Sequence, residues 1–112
     1  MLYGIPNCDT VKKARARLAE RGVAYAFHDY KKSGVDPTAL DRWVALVGWD
    51  ALLNRAGTTF RKLSDAERAD IDAAKARALM LAHPSLIKRP VMEHGEHLLV
   101  GLKPADWDAA GL

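Results

Sequence analysis

One cysteine, Cys8, is the whole thiol inventory of this 112-residue chain. An internal disulfide is therefore excluded, and with it the stapled scaffolds of small secreted domains. Long apolar runs are missing too: no stretch approaches the ~20 residues that a membrane-spanning helix needs. No hydrophobic leader precedes the first candidate strand, since Met1-Leu2-Tyr3 runs directly into it. Repeats, linkers and low-complexity tracts are absent as well. Together these absences describe one domain, 1–112, expected in the cytoplasm, where an exposed thiol stays reduced, with no membrane partner.

A strong charge imbalance is also lacking. The formal net charge is only +3, with no basic tail and no recognisable nucleic-acid-binding motif. Basic residues gather at 12–21, 31–32, 55–62 and 88–89, but acidic residues intersperse most of these segments. Direct nucleic-acid binding is not expected. A mild positive field around a small anionic ligand fits the pattern better.

What is present falls into an ordered series of elements. A short apolar strand at the N-terminus leads through a tight turn into a helix whose apolar positions are Val11, Ala14 and Leu18. Asn7, Asp9 or Thr10 is expected to cap that helix, and Gly22 to end it. Residues 24–30 read as a second strand, so strand, helix and strand form a right-handed βαβ unit with parallel strands. A polar turn follows at 31–34. Asp36-Pro37 opens a helix as cap and first helical residue, with Leu40, Trp43, Val44 and Val47 as its apolar stripe. One helical turn is expected at 50–54 and an irregular loop at 55–62. Ser64 and Glu67 make a capping-box pattern, starting a helix that runs through Ile71, Ala74, Ala78 and Leu81 with a break near Asp70. His83-Pro84 ends it. Val91-Met92 and Leu98-Leu99-Val100 flank a turn at Gly95, which predicts a hairpin, and Lys103-Pro104 opens a last helix. The tryptophans Trp43, Trp49 and Trp107 read as core or core-edge packing. The fold class is therefore α/β: a four-stranded mixed sheet in a thioredoxin-like layout. A helical insertion, about 36–84, separates the βαβ unit from the C-terminal hairpin.

Chemistry concentrates at the first turn. Cys8 falls between a strand end and a helix start, against backbone N–H groups that lack helical partners and carry the positive end of the dipole. Such a position favours thiolate over thiol. Lys12 and Lys13 add positive charge and Asp9 opposes them. The polar neighbours Pro6, Asn7, Asp9 and Thr10 describe a loop rather than a core, so Cys8 reads as a nucleophile and not as a buried apolar filler. His94 and His97 lack a second cysteine or a ligand cluster beside them, and no metal site is expected.

Four segments together resemble the arsenate reductase (ArsC) family, in its Spx/YffB-type branch: Asn7-Cys8-Asp9-Thr10, Ala51-Leu52-Leu53-Asn54-Arg55, His83-Pro84 and Leu86-Ile87-Lys88-Arg89-Pro90-Val91. The likeness extends from Leu2 to Trp107. It implies a catalytic cysteine matched by Cys8, and an arginine before a cis proline, matched by Arg89 and Pro90, placed beside that cysteine. The guanidinium would then stabilise the thiolate and hold a substrate carboxylate or oxyanion. Three departures are informative. Lys12-Lys13 replace the Ser-Arg ending of the arsenate reductase loop. Asn54, with Arg55 next to it, and Lys103 stand where further oxyanion arginines are expected, and a lysine keeps the charge but not the planar fork. Val11 occupies the place of the second cysteine of the Spx switch.

The function implied is a glutathione-dependent thiol reductase with one nucleophilic cysteine. No cofactor is bound; glutathione or another small anionic thiol is the co-substrate, and glutaredoxin a partner to consider. Cys8 is catalytic, while Arg89, Pro90, Lys12, Lys13, Asn54, Arg55 and Lys103 bind substrate. The alternatives are arsenate reduction and a non-catalytic, Spx-like role on RNA polymerase.

Overall fold

The computed structural model describes all residues, 1–112. The chain divides into two compact units: Met1–Ser33 together with Arg89–Leu112, and Gly34–Lys88.

The first unit is built on strands β1 (Leu2–Gly4), β2 (Phe27–Asp29), β3 (Val91–His94) and β4 (His97–Val100), in the order β2-β1-β3-β4. β1 pairs with β2 in parallel, Leu2 opposite Phe27 and Gly4 opposite Asp29. It pairs with β3 antiparallel, Leu2 opposite Met92 and Tyr3 opposite Val91. The hairpin closes with Gly95 at φ 58°, a left-handed position that suits glycine. Strand alternation sends Leu2, Met92 and Leu99 to one face. There they form a core with Ala14 and Leu18 of helix α1 (Asp9–Glu20) and with Trp107 of the C-terminal helix (Pro104–Ala109) and Leu112. The indole N–H of Trp107 donates to the Gly101 carbonyl at 3.0 Å. Arg17 donates to the Leu112 carbonyl at 2.8 Å and pairs with Asp108, tying the chain end to α1.

β2 is shorter than the strand expected at 24–30. β1 offers only three residues for parallel pairing, so the ladder stops at Asp29. Tyr30 then enters a single helical turn, α2 (Tyr30–Ser33), where a polar turn at 31–34 was expected to follow the strand.

The second unit is helical. Helix α3 (Pro37–Val47) is capped by Asp36, whose carboxylate accepts from the Thr38 N–H at 3.1 Å. Its buried residues are Ala39, Leu40 and Trp43; Val47 is 37% exposed, so the expected stripe does not reach the helix end. Helix α4 (Trp49–Leu52) is the expected single turn. Leu53 beyond it bridges Ile87, with Asn54 N–H donating to the Leu86 carbonyl at 2.7 Å and Lys88 N–H to Leu52 at 2.8 Å. The segment expected as loop contains a helical turn, α5 (Thr58–Arg61). Helix α6 (Asp65–Arg68) carries the full Ser64–Glu67 capping box. Asp70 at φ 51° breaks the chain direction, and α7 (Ala73–Ala82) starts anew with Asp72 accepting from the Lys75 N–H. This restart changes the phase of the helix. The buried face is Ala76, Leu79 and Met80, whereas Ala74 and Ala78, expected inward, are exposed. His83 is the C-terminal cap residue and Pro84 starts a 3-10 turn. The C-terminal helix, Pro104–Ala109, is α8. No helix is long and apolar enough to cross a membrane.

Two results follow. A Cβ on Gly4 would lie 2.7 Å from Val11 Cγ2, and Val11 is fully buried. Gly4→Ala should therefore destabilise the protein by about 1–3 kcal/mol through overpacking, read in chemical denaturation. In the second unit, hydrogen bonds from Arg77 hold Asp41 below the usual carboxylate range, and hydrogen bonds from Ser64 do the same for Glu67. Both contributions are complete above the unfolded carboxylate values and fade as pH falls through the lowered folded ones. Acid titration of Tm should be shallower in Asp41→Asn than in the parent chain.

Candidate active site

Residues 5–7 turn the chain between β1 and α1. The Cys8 N–H donates to the Ile5 carbonyl at 3.2 Å, and the Cys8 carbonyl accepts the Lys12 N–H at 2.9 Å. Cys8 itself is thus the N-cap residue, with extended backbone at φ −85° and ψ 127°. Asn7, Asp9 and Thr10, the caps expected from sequence, do not serve. The Cys8 side chain makes no capping hydrogen bond, and the residue is half-buried, free of any disulfide. Asp9 lies in the first turn, where a carboxylate is favoured by the dipole. Lys12 and Lys13 are exposed on α1.

The sheet register fixes what accompanies the cysteine. β1 runs toward Cys8, and its antiparallel neighbour β3 starts just after Arg89-Pro90. The Arg89–Pro90 peptide bond is cis, Pro90 is buried and Arg89 half-buried. The Pro90 carbonyl accepts the Gly101 N–H at 2.7 Å, which anchors it to the end of β4. Two residues on, exposed Lys103 is the N-cap of α8. Cys8, Arg89, Pro90 and Lys103 therefore leave the sheet at one end.

Asn54 and Arg55 belong to the second unit and have local work. Asn54 Oδ1 accepts the Ala56 N–H at 3.1 Å, an Asx turn. Arg55 pairs with Asp50 at 2.9 Å and lies over the Trp49 ring. That unit also holds a cleft of about 330 Å³ lined by Thr59, Lys62, Leu63, Glu67 and His83. His94 and His97 face each other across the hairpin, both exposed, and no three His, Cys, Asp or Glu side chains are grouped to hold a metal.

The face of the sheet opposite the core helices carries no motif legible in the sequence. Tyr3 there lies 5.2 Å from the His28 ring and 6.4 Å from the Tyr30 ring, and its hydroxyl donates to Glu93 Oε1 at 2.6 Å. Burial pushes the Tyr30 phenol far above its usual range; Tyr3 and Glu93 add to this and the Arg89 charge opposes it. The period-two spacing of His28 and Tyr30 was the available signal.

A four-stranded mixed sheet with a cysteine at the β1–α1 junction and a cis proline heading β3 defines an α/β protein of the thioredoxin-like class, with one thiol at its site. The chain belongs to the ArsC family, whose family model matches residues 3–110, and within it to the Spx/YffB-type branch. A YffB protein of known structure is 61% identical, covering 97% of this chain and 96% of its own, with a TM-score of 0.93. The ArsC-related protein of Brucella melitensis is 58% identical over 96% of this chain and 90% of its own, at a TM-score of 0.76. A protein of Haemophilus influenzae is 37% identical over 109 residues, 97% of this chain and 96% of that one. The global transcriptional regulator Spx of Listeria innocua is 28% identical over 108 residues, 89% of this chain and 77% of the regulator.

An N-cap without a capping bond is a stability left unused. Cys8→Ser places a better acceptor over the same N–H groups, so it should raise folding stability by about 0.5–1 kcal/mol in denaturant titration while removing all thiol chemistry.

Proposed function

We propose that the chain is a single-cysteine thiol reductase that takes glutathione-type disulfides. The observation that supports it best is the position of the thiol. Cys8 is half-buried at the N-cap of α1, its side chain uncommitted, at the sheet end that also carries Arg89 and Lys103. Family membership supports the same reading, since the matched residues include the whole cysteine turn and the Arg89-Pro90 segment.

The chemistry is thiol–disulfide exchange. Cys8 sulfur attacks the glutathione sulfur of a mixed disulfide, the S–S bond breaks, and the partner leaves as a thiolate that takes up a proton. The chain now carries glutathione on Cys8. With no second cysteine, release needs an external thiol. A glutathione thiolate attacks the glutathione sulfur of the adduct, yielding oxidised glutathione and free Cys8. The balance is one mixed disulfide and one reduced glutathione consumed, one protein thiol and one oxidised glutathione formed. Arg89 offers two N–H edges for a glutathione carboxylate; Lys12, Lys13 and Lys103 supply a general positive field. Asn54 and Arg55 are not needed in this scheme.

Arsenate reduction would need more guanidinium groups on the oxyanion than this set offers: Asn54 is engaged in its Asx turn and Arg55 with Asp50. Incubation of the native protein with oxidised glutathione should give one glutathionyl adduct, mapped to Cys8 by mass spectrometry and removed by reduced glutathione. Absence of the adduct under native conditions would overturn the proposal. Turnover of arsenate with glutathione and glutaredoxin, at rates exceeding mixed-disulfide reduction, would replace it with the arsenate reading.

A further inference from the structure

Tyr30 is 3% exposed, and its hydroxyl is buried with no hydrogen-bond partner. A buried hydroxyl left unmatched is destabilising, and phenylalanine would fill the same space without that cost. The ring is held from two sides, stacked on Tyr3 at 6.4 Å and met edge-on by His28 at 5.9 Å. This packing fixes where the oxygen sits. Tyr30 directly follows β2, whose last residue pairs with Gly4, so it leaves the sheet at the end occupied by Cys8 and Arg89. Arg89 is half-buried, forms none of the ion pairs of the chain, and its charge opposes the rise that burial imposes on the Tyr30 phenol.

The two groups complement each other. A phenol oxygen has lone pairs to accept a hydrogen bond, and a guanidinium has five N–H donors on two usable edges. We propose that Tyr30 is the positioning residue of Arg89: its fixed hydroxyl accepts from one edge of the guanidinium when the other edge holds a carboxylate beside Cys8. In that arrangement the arginine plane is set by the Tyr3–His28–Tyr30 ring cluster. Anion recognition then depends on a residue that touches neither sulfur nor ligand. Tyr30 acts through Arg89 and has no effect without it.

The inference rests on Arg89 serving anions at the thiol, but not on glutathione being the anion, and the test separates the two. Cys8 is alkylated with iodoacetate and with iodoacetamide, which differ in a carboxylate, and the ratio of the two rates is read in the parent chain, Tyr30→Phe, Arg89→Ala and the double variant. Thermal unfolding of each is measured alongside. The expected result is a ratio about fivefold lower in Tyr30→Phe, within the coupling range of neighbouring side chains. Tm should be unchanged or higher, and adding Tyr30→Phe to Arg89→Ala should cause no further fall. An unchanged ratio in Tyr30→Phe, or an equal fall in the Arg89→Ala background, overturns the positioning role. A ratio insensitive to Arg89→Ala overturns it as well, by removing Arg89 from anion binding. Failure of the glutathione adduct with the expected ratios intact discards only the choice of disulfide.

Discussion

The pairing of β1 with β3 is the constraint on which the first unit depends. Leu2 sits opposite Met92 and Tyr3 opposite Val91, and Met1 and Glu93 exchange further backbone bonds beyond them. Closing a loop of that length costs conformational entropy, although the cost grows only slowly with loop size. The return is geometric. Because the strands are antiparallel, the end of β1 meets the start of β3, so the cysteine turn and the Arg89-Pro90 segment share one end of the sheet. A parallel partner would have sent them to opposite ends. β4 turns back to the same end, where the Pro90 carbonyl accepts from Gly101 ahead of Lys103.

The two faces of that sheet have different work. One is a conventional core of Leu2, Met92, Leu99, Ala14, Leu18 and Trp107. It demands a glycine at position 4, because Val11 of α1 occupies the space a side chain would need. Val11 lies three residues beyond Cys8, the N-cap of α1. The other face carries Tyr3, His28, Tyr30 and Glu93, a polar and aromatic cluster whose tyrosine–carboxylate bond is well made while the Tyr30 hydroxyl is not. Packing fixes the helix that presents the thiol; ring contacts hold Tyr3, His28 and Tyr30 together on the other face.

Much of this was legible in the sequence because local chemistry and tertiary structure agree. Asp36-Pro37, Ser64 with Glu67, and Gly95 each specify one local geometry, and each is used as written. The order of elements and the four-stranded mixed sheet followed from these signals and from hydrophobic spacing. Misreadings arose where one break resets a pattern. The helix break expected near Asp70 falls there, at a left-handed residue, but it also resets the helical phase, so the buried face is Ala76, Leu79 and Met80. A three-residue β1 limits β2 to three partners, which no property of residues 24–30 announces.

The site shows the same division. Cys8 stood out because a thiol in a polar turn before a helix has few structural reasons to exist, and the Arg89-Pro90 segment because the resemblance singled it out. Asn54 and Arg55 were named by position within a motif, but short-range partners engage both: a backbone N–H two residues on and a carboxylate five residues back. Tyr30 was invisible for the opposite reason. An aromatic residue at a strand end reads as core, and by exposure it is core. Its peculiarity is an oxygen that burial should have selected against, at the sheet end that also carries an arginine outside every ion pair. Hydrophobic pattern cannot carry that information, because Tyr and Phe contribute nearly alike to packing and differ only in whether a hydrogen bond is left to be made.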